Sequence, residues 1–310
     1  MNIVYAGAPE FSVPPLQKII NAGYRVVAVV TQPDKPVGRK GVITPTPLKT
    51  FAAAFGIPVL DYPKIRNYAK ELSSLGADLM VTCAYGQLLT QPILDAFPLG
   101  VYNIHASLLP KYRGAAPIAA CILNGETHTG ITVMKTELGL DTGDMLLQKE
   151  IQIAPQDTAG TLSEKLSLLG GECVVEALDL LKSGKAAFTP QNGAEATLVK
   201  KINKEHALID FSASAKQIVD LVRAMNPSPV AYAFLGDKAL NVFTAEEAQD
   251  EGGDCGEVVR ADKTGVYVKA GSGTVRLTEM QAEGGKRMRA ADFVNGRKIT
   301  AGMKLQRERV

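Results

Sequence analysis

Tryptophan is absent from this sequence, histidine occurs three times and cysteine four. Cys83, Cys121, Cys173 and Cys255 are scattered and form no C-x-x-C pair, which argues against a structural zinc site and against a disulfide framework. They read as reduced core thiols of a cytoplasmic protein. No apolar run reaches the roughly 18 residues that a membrane helix requires, so no membrane association is expected. The chain opens directly on the strand-like MNIVYAG, without the charged and apolar regions of a leader. The G-x-G-x-x-G turn of dinucleotide-binding folds is also missing. The first turn reads AGAPEFSVPP, where Pro9 and Glu10 occupy the stretch that would face a phosphate, and this argues against NAD. With a formal net charge of +2, the placement of charge says more than its sum.

What is present falls into two halves. In residues 1–184, apolar runs at 2–7, 25–31, 57–60, 78–84 and 100–105 alternate with helical patterns, several of them ended by glycine. Near-continuous Val/Ile/Leu strands separated by helices predict an α/β domain with a Rossmann-like, mostly parallel sheet covered on both faces. Runs at 127–136 and 144–153 suit an antiparallel edge, and 158–184 a long amphipathic helix. Residues 185–205 have weak periodicity and read as a linker. In residues 206–310 one capped helix (212–225) is followed by short runs with Gly or Asp-Lys turns between them. That spacing predicts a small OB-like antiparallel β-barrel domain.

The stretch NIHASLLPKYRGAAP, residues 103–117, places Asn103, His105 and Ser107 at alternate positions, which in an extended strand share one face. Pro110 ends the pairing there. Asp141 follows in a glycine-flanked loop, GLDTGDM. An amide can donate to an oxygen on which charge develops, an imidazole can move a proton, and a carboxylate can fix the imidazole's tautomer. The three suit acyl transfer to an amine and require neither a covalent nucleophile nor a metal. A core imidazole capping the strand is an equal reading of His105 from spacing alone. For Asp141 alone an Asx-turn before Thr-Gly is the simpler reading. HASLL is not a nucleophile elbow, so Ser107 as a hydrolase nucleophile is disfavoured.

Together NIHASLLPKYRGAAP and GLDTGDM resemble the signature of the folate-dependent formyltransferases, N-x-H-x-S-L-L-P followed at a distance by D-T-G. GAPEF, TQPDKPVGRK, AYGQLL and NPSP extend the similarity over essentially the whole chain. The order of Rossmann-like domain, linker and small barrel is similar to the members that formylate methionine on initiator tRNA for translation initiation. The resemblance implies 10-formyltetrahydrofolate as formyl donor and no metal. It implies Asn103, His105 and Asp141 as the catalytic trio, and Ser107, Leu108, Leu109 and Pro110 as folate contacts. The family often carries tryptophan where this chain has Ser228. The alternative acceptor, allowed by the same first domain, is an amino sugar nucleotide.

Basic residues concentrate in three places. The loop TQPDKPVGRKGVITPTPLK after the second strand reads on composition either as a functional loop or as a solvated connection. The resemblance makes Arg39 and Lys40 the candidates for contact with the tRNA acceptor stem. Lys201 and Lys204 lie in the linker, and Lys286 and Arg287 begin a basic C-terminal tail. Residues 246–257 hold six acids, so charge in the second domain is segregated along the chain. A basic patch of this kind is the footprint of a phosphate-backbone binder, although most charge runs are simply solvated faces. A monomer is expected.

Overall fold

The computed structural model describes residues 1–38, 41–296 and 298–309. Its chain clusters into two compact units. The first comprises Met1–Pro117, His128–Gln152 and Ser163–Val199; the second comprises Ile118–Thr127, Ile153–Leu162 and Lys200–Val310.

The first unit is built on β1 (Asn2–Gly7), β2 (Arg25–Thr31), β5 (Val59–Asp61), β6 (Leu79–Cys83) and β7 (Val101–His105), which run parallel in the order β5-β2-β1-β6-β7. A short hairpin, β3 (Lys35–Val37) and β4 (Val42–Thr44), intervenes after β2. β9 (His128–Lys135) and β10 (Met145–Gln152) continue the sheet as the expected antiparallel edge. Helices α1 (Val13–Asn21), α2 (Pro47–Ala54), α3 (Ala69–Ser74) and α4 (Gln91–Leu94) fall where the pattern predicts them. Proline stands in the first turn of α2, and the Thr46 hydroxyl caps that helix by accepting from the Lys49 N–H at 3.2 Å. β1, β6 and β7 are almost wholly buried, which explains their unbroken apolar sequence.

The long helix predicted over 158–184 is α6 (Ala159–Lys182), preceded by α5 (Pro117–Leu123). Gly170 and Gly171 sit mid-helix because their neighbours leave no room. A Cβ on Gly170 would lie 3.0 Å from Ile104 Cγ2 of β7, and one on Gly171 2.8 Å from Lys18 Cγ of α1. Residues 185–199, read from sequence as linker, pack within the first unit: β11 (Leu198–Val199) pairs in parallel with β8 (Arg113–Gly114).

In the second unit, α7 (Ala215–Ala224) begins with a capping box formed by Ser214 and Gln217. A curled antiparallel sheet follows, in the order β14 (Val258–Asp262), β15 (Gly265–Lys269), β16 (Thr274–Ala282), β13 (Lys238–Ala248), β12 (Ala231–Leu235) and β18 (Leu305–Gln306), with β17 (Met288–Arg289) on β16 and α8 (Ala290–Asn295) after it. Bonds from Val258 N–H to Met303 O and from Leu305 N–H to Gly256 O, both 2.8 Å, tie the β14 edge to the segment leading into β18. This curled sheet is the barrel-like domain expected from the short strand spacing. No helix among the described residues is long and apolar enough to cross a membrane.

The cysteines need one correction. Cys83, Cys121 and Cys173 are buried, but Cys255 is exposed, because it sits in the turn before β14 and not in a strand.

Candidate active site

Asn103 and His105 lie on β7, two residues apart, so their side chains share a face of the sheet. They occupy the carboxyl-terminal half of β7, one strand outward from where the strand order reverses between β1 and β6. That edge is where open α/β sheets bind ligands. On β6 the Thr82 hydroxyl donates to Asn103 Oδ1 at 2.8 Å. The carbonyl end of the amide is thereby engaged, which orients the two N–H donors of Nδ2 away from Thr82.

The His105 imidazole is 5% exposed. Its Nε2 lies 2.9 Å from the Tyr112 carbonyl. A carbonyl only accepts, so Nε2 carries the proton and Nδ1 is the position that can exchange one. Nδ1 faces Asp141 Oδ2 at 3.8 Å. The carboxylate is near enough to stabilise a cationic ring but makes no direct hydrogen bond to it.

Asp141 stands in the left-handed region, at φ 52°. Its Oδ2 accepts from the Gly114 N–H at 2.8 Å, so the carboxylate is tied across to the loop after β7 and not to its own turn. Its carbonyl accepts from Gln191 Nε2, also at 2.8 Å. Gly139 is required nearby, since a Cβ there would sit 2.1 Å from Thr142 Oγ1.

The turn 107–111 is anchored on the antiparallel edge. Thr132 of β9 donates its hydroxyl to Ser107 O (2.7 Å) and accepts from Leu109 N–H (3.1 Å), and Gln148 of β10 donates to Leu109 O (2.8 Å). Ser107 is fully buried, and its hydroxyl donates to Lys111 O at 2.7 Å. Leu109 is 3% exposed. Among the four residues expected to touch folate, Leu108 and Pro110 keep surface for a ligand, while Ser107 and Leu109 shape the turn from behind.

The basic positions are spread over the chain. Arg39 and Lys40 lie outside the described residues. Lys201, Lys204, Lys286 and Arg287 are exposed. Lys204 Nζ sits 5.4 Å from the Tyr232 ring centre, and the Arg287 guanidinium stacks 4.2 Å from that of Phe243. Arg287 also pairs with Glu279 (2.5 Å), Arg307 with Asp210 (2.9 Å) and Arg309 with Glu283 (3.3 Å). The acidic run is not the separate face that its place in the sequence suggests. Antiparallel pairing brings Glu246 to Arg276, Asp250 meets Lys269 and Glu251 meets Arg260. Charge segregated along the chain is interleaved in space.

Sequence reasoning did not single out Thr82, Gly114 or Gln191. Thr82 has one visible signal, a hydroxyl within the apolar run LMVTC. Gln191 has none, because its segment lacks periodicity.

Residues 1–178 match the family described as formyl transferase, and residues 201–298 match the formyl transferase C-terminal domain. The methionyl-tRNA formyltransferase of Ruminiclostridium cellulolyticum is 43% identical over 310 residues, covering 98% of this chain and 99% of the relative. Among solved structures, an N-formyltransferase from Helicobacter canadensis in complex with folinic acid and dTDP-3-aminofucose superposes with a TM-score of 0.66 at 18% identity, over 89% of this chain and 98% of that one. HypX from Aquifex aeolicus in complex with tetrahydrofolic acid gives 0.66 at 18% identity, over 94% of this chain; the present chain spans just under half (46%) of HypX. At those identities the two structures share the fold alone. Two adjacent family models, together with 43% identity along nearly the full length, make this chain a member of the formyl transferase family.

Proposed function

We propose that this chain transfers the formyl group of 10-formyltetrahydrofolate to the α-amino group of methionine on initiator tRNA, with Asn103, His105 and Asp141 acting at the transfer. The observation that carries the acceptor is the 43% identity, end to end, with a relative named methionyl-tRNA formyltransferase. The site's chemistry fits a folate-borne formyl group. Leu88, 80% exposed in the loop after β6, and half-buried Leu108 and Pro110 in the turn after β7 offer apolar surface for a planar ring. When bound, the donor supplies an activated formyl carbon attached to N10.

The attacking amine forms a bond to that carbon, and the carbonyl π electrons move to oxygen. Asn103 Nδ2, turned outward by Thr82, donates to that oxygen and holds it best when it is most negative. Nδ1 of His105 takes the proton that the amine nitrogen must lose. Asp141 stabilises the resulting imidazolium through Oδ2. The C–N10 bond breaks as the carbonyl reforms, and the proton held on Nδ1 returns to N10. No other residue need change its covalent state.

For the tRNA we assign Arg39 and Lys40 to the acceptor stem, and Lys201, Lys204, Lys286 and Arg287 to the phosphate backbone. Arg287 is the weakest of these, being already paired with Glu279. The test supplies 10-formyltetrahydrofolate with charged initiator tRNA, or with an amino sugar nucleotide, and follows release of tetrahydrofolate. Turnover with the tRNA alone supports the reading, and turnover with the sugar alone replaces it. In the same assay His105→Ala and Asp141→Asn should each lose roughly 10²-fold or more in kcat.

A further inference from the structure

We infer that Gln191 is a positioning residue for the transfer: its carboxamide holds the 141–143 turn so that the Asp141 carboxylate faces His105. The inference rests on the reading of Asp141 as part of the reacting machinery, and it gives a role to a segment whose sequence suggests only a connection.

A primary carboxamide has four hydrogen-bonding positions, two on oxygen and two on nitrogen. In Gln191 all four are used. Oε1 accepts from Arg113 Nε at 3.0 Å and from Arg113 Nη2 at 2.7 Å. Nε2 donates to Asp141 O and to Gly143 O, each at 2.8 Å. The side chain therefore spans Thr142 and closes the turn on either side of it. Arg113 in turn presents a planar fork that fits one oxygen with two N–H groups and orients the amide without ambiguity between its oxygen and nitrogen.

The turn needs such a hold. Asp141 adopts φ 52°, a conformation uncommon for residues other than glycine, which persists only where the surroundings over-determine it. Two ties supply this, and both originate in one dipeptide. Gly114 N–H binds Asp141 Oδ2 directly at 2.8 Å. Arg113 binds the backbone of the same residue through Gln191. Pairing of β8 with β11 places the Gln191 segment alongside Arg113, with Arg113 N–H donating to Thr197 O at 2.8 Å. Thr197 also accepts, through its hydroxyl at 2.7 Å, from the N–H of Tyr112, the residue whose carbonyl holds His105 Nε2. The segment 191–197 thus supports both members of the His105–Asp141 pair, and Gln191 is its contact with Asp141.

The experiment compares wild type with Gln191→Ala, Gln191→Glu, Asp141→Asn and the Gln191→Ala/Asp141→Asn double variant in the full chain. Gln191→Glu is nearly isosteric and keeps its partner Arg113, but it presents an anion to two carbonyl oxygens, so it removes both donations without leaving a void; thermal melts of each variant check that it remains folded. Both Gln191 variants are expected to lower kcat roughly 10- to 100-fold, the scale of a misplacement of about 1 Å. KM for folate and tRNA should stay within about twofold, because neither substrate contacts the amide in this reading. In the double variant, Gln191→Ala should add less than about threefold to the loss from Asp141→Asn, since residues acting as one unit are not additive. A purely structural role would multiply the two losses. Wild-type kcat in both Gln191 variants, or full multiplication in the double variant, overturns the inference while leaving Asp141 catalytic. Wild-type kcat in Asp141→Asn alone instead removes the underlying reading of Asp141, and the inference with it.

Discussion

Replacing Gly114 by alanine probes the geometry of the site at a single carbon atom. Gly114 has φ +111°, and a Cβ built there lies 2.3 Å from Val199 O and 3.3 Å from Val199 C. Ordinary C···O contacts begin near roughly 3.3 Å, so about 1 Å of movement is needed. Both obstructing atoms are backbone, and Val199 O is held by the Ala115 N–H at 3.0 Å, so the strand pair cannot yield without losing that bond. Strain of about 1–3 kcal/mol for the backbone conformation, plus about 1 kcal/mol for the bond, gives a loss of roughly 2–4 kcal/mol. For a unit of this size that corresponds to a fall in Tm of about 5–15 °C. The same movement carries the Gly114 N–H away from Asp141 Oδ2. A displacement near 1 Å among catalytic groups costs roughly 10² in kcat. Thermal melts and single-turnover formylation would be measured beside Gly193→Ala, where an added Cβ meets nothing within 4 Å. That control should stay within about 0.5 kcal/mol of wild type. A Gly114→Ala protein with wild-type Tm and kcat would refute the argument, since the clash would then be relieved without moving either strand or carboxylate.

Thr82→Val removes the hydroxyl that orients Asn103 but keeps the amide, so kcat should fall about 10-fold, against roughly 10²–10³ for Asn103→Ala; if Asn103→Ala moves only the KM for folate, it is a binding residue and not an oxyanion donor. A thiol reagent should label one cysteine of the native chain, Cys255, because Cys83, Cys121 and Cys173 are buried, and burial pushes the Cys83 and Cys173 thiols up to about 12; rapid modification of a second thiol contradicts this. In the barrel-like unit, the Thr264 hydroxyl and N–H hold Asp262 down to about 2, and Arg260 adds to this. A folded-state pKa below the unfolded value means stability that is complete above about pH 4 and lost as pH falls toward 2. Asp262→Asn should therefore lower Tm at pH 6 and match wild type near pH 2, and an equal deficit at both pH values would show that the ionised form contributes nothing.

How much of this was legible in the sequence depends on the range over which each feature is made. β7 and its two polar side chains are a local matter. Alternation in NIH puts Asn103 and His105 on one face whatever else the chain does, and the apolar runs around them specify the parallel sheet. α6 is equally local, its periodicity persisting through the Gly170–Gly171 pair that lets it approach β7. Asp141 became a partner for His105 only through resemblance, since spacing alone favoured an Asx-turn and its Oδ2 binds Gly114, 27 residues away. The interleaved charges were hidden for the same reason: Glu246 and Arg276 lie 30 residues apart and meet only through the register of β13 on β16. The engagement of Ser107 is equally hidden in the sequence: its hydroxyl alternates with Asn103 and His105, yet it is fully buried and donates to Lys111 O. The groups that hold the pair in place are the least legible of all. His105 is held by a carbonyl and Asp141 by an amide, atoms that every residue other than proline possesses, so no residue type announces them. What the sequence does carry at those points is conformational. The amide that binds Asp141 belongs to a residue at φ +111° whose missing Cβ makes room for Val199 O, and only glycine meets both conditions without strain. In NIHASLLPKYRGAAP the glycine therefore carries information of the same kind as the histidine, because it determines where the histidine's partner can stand.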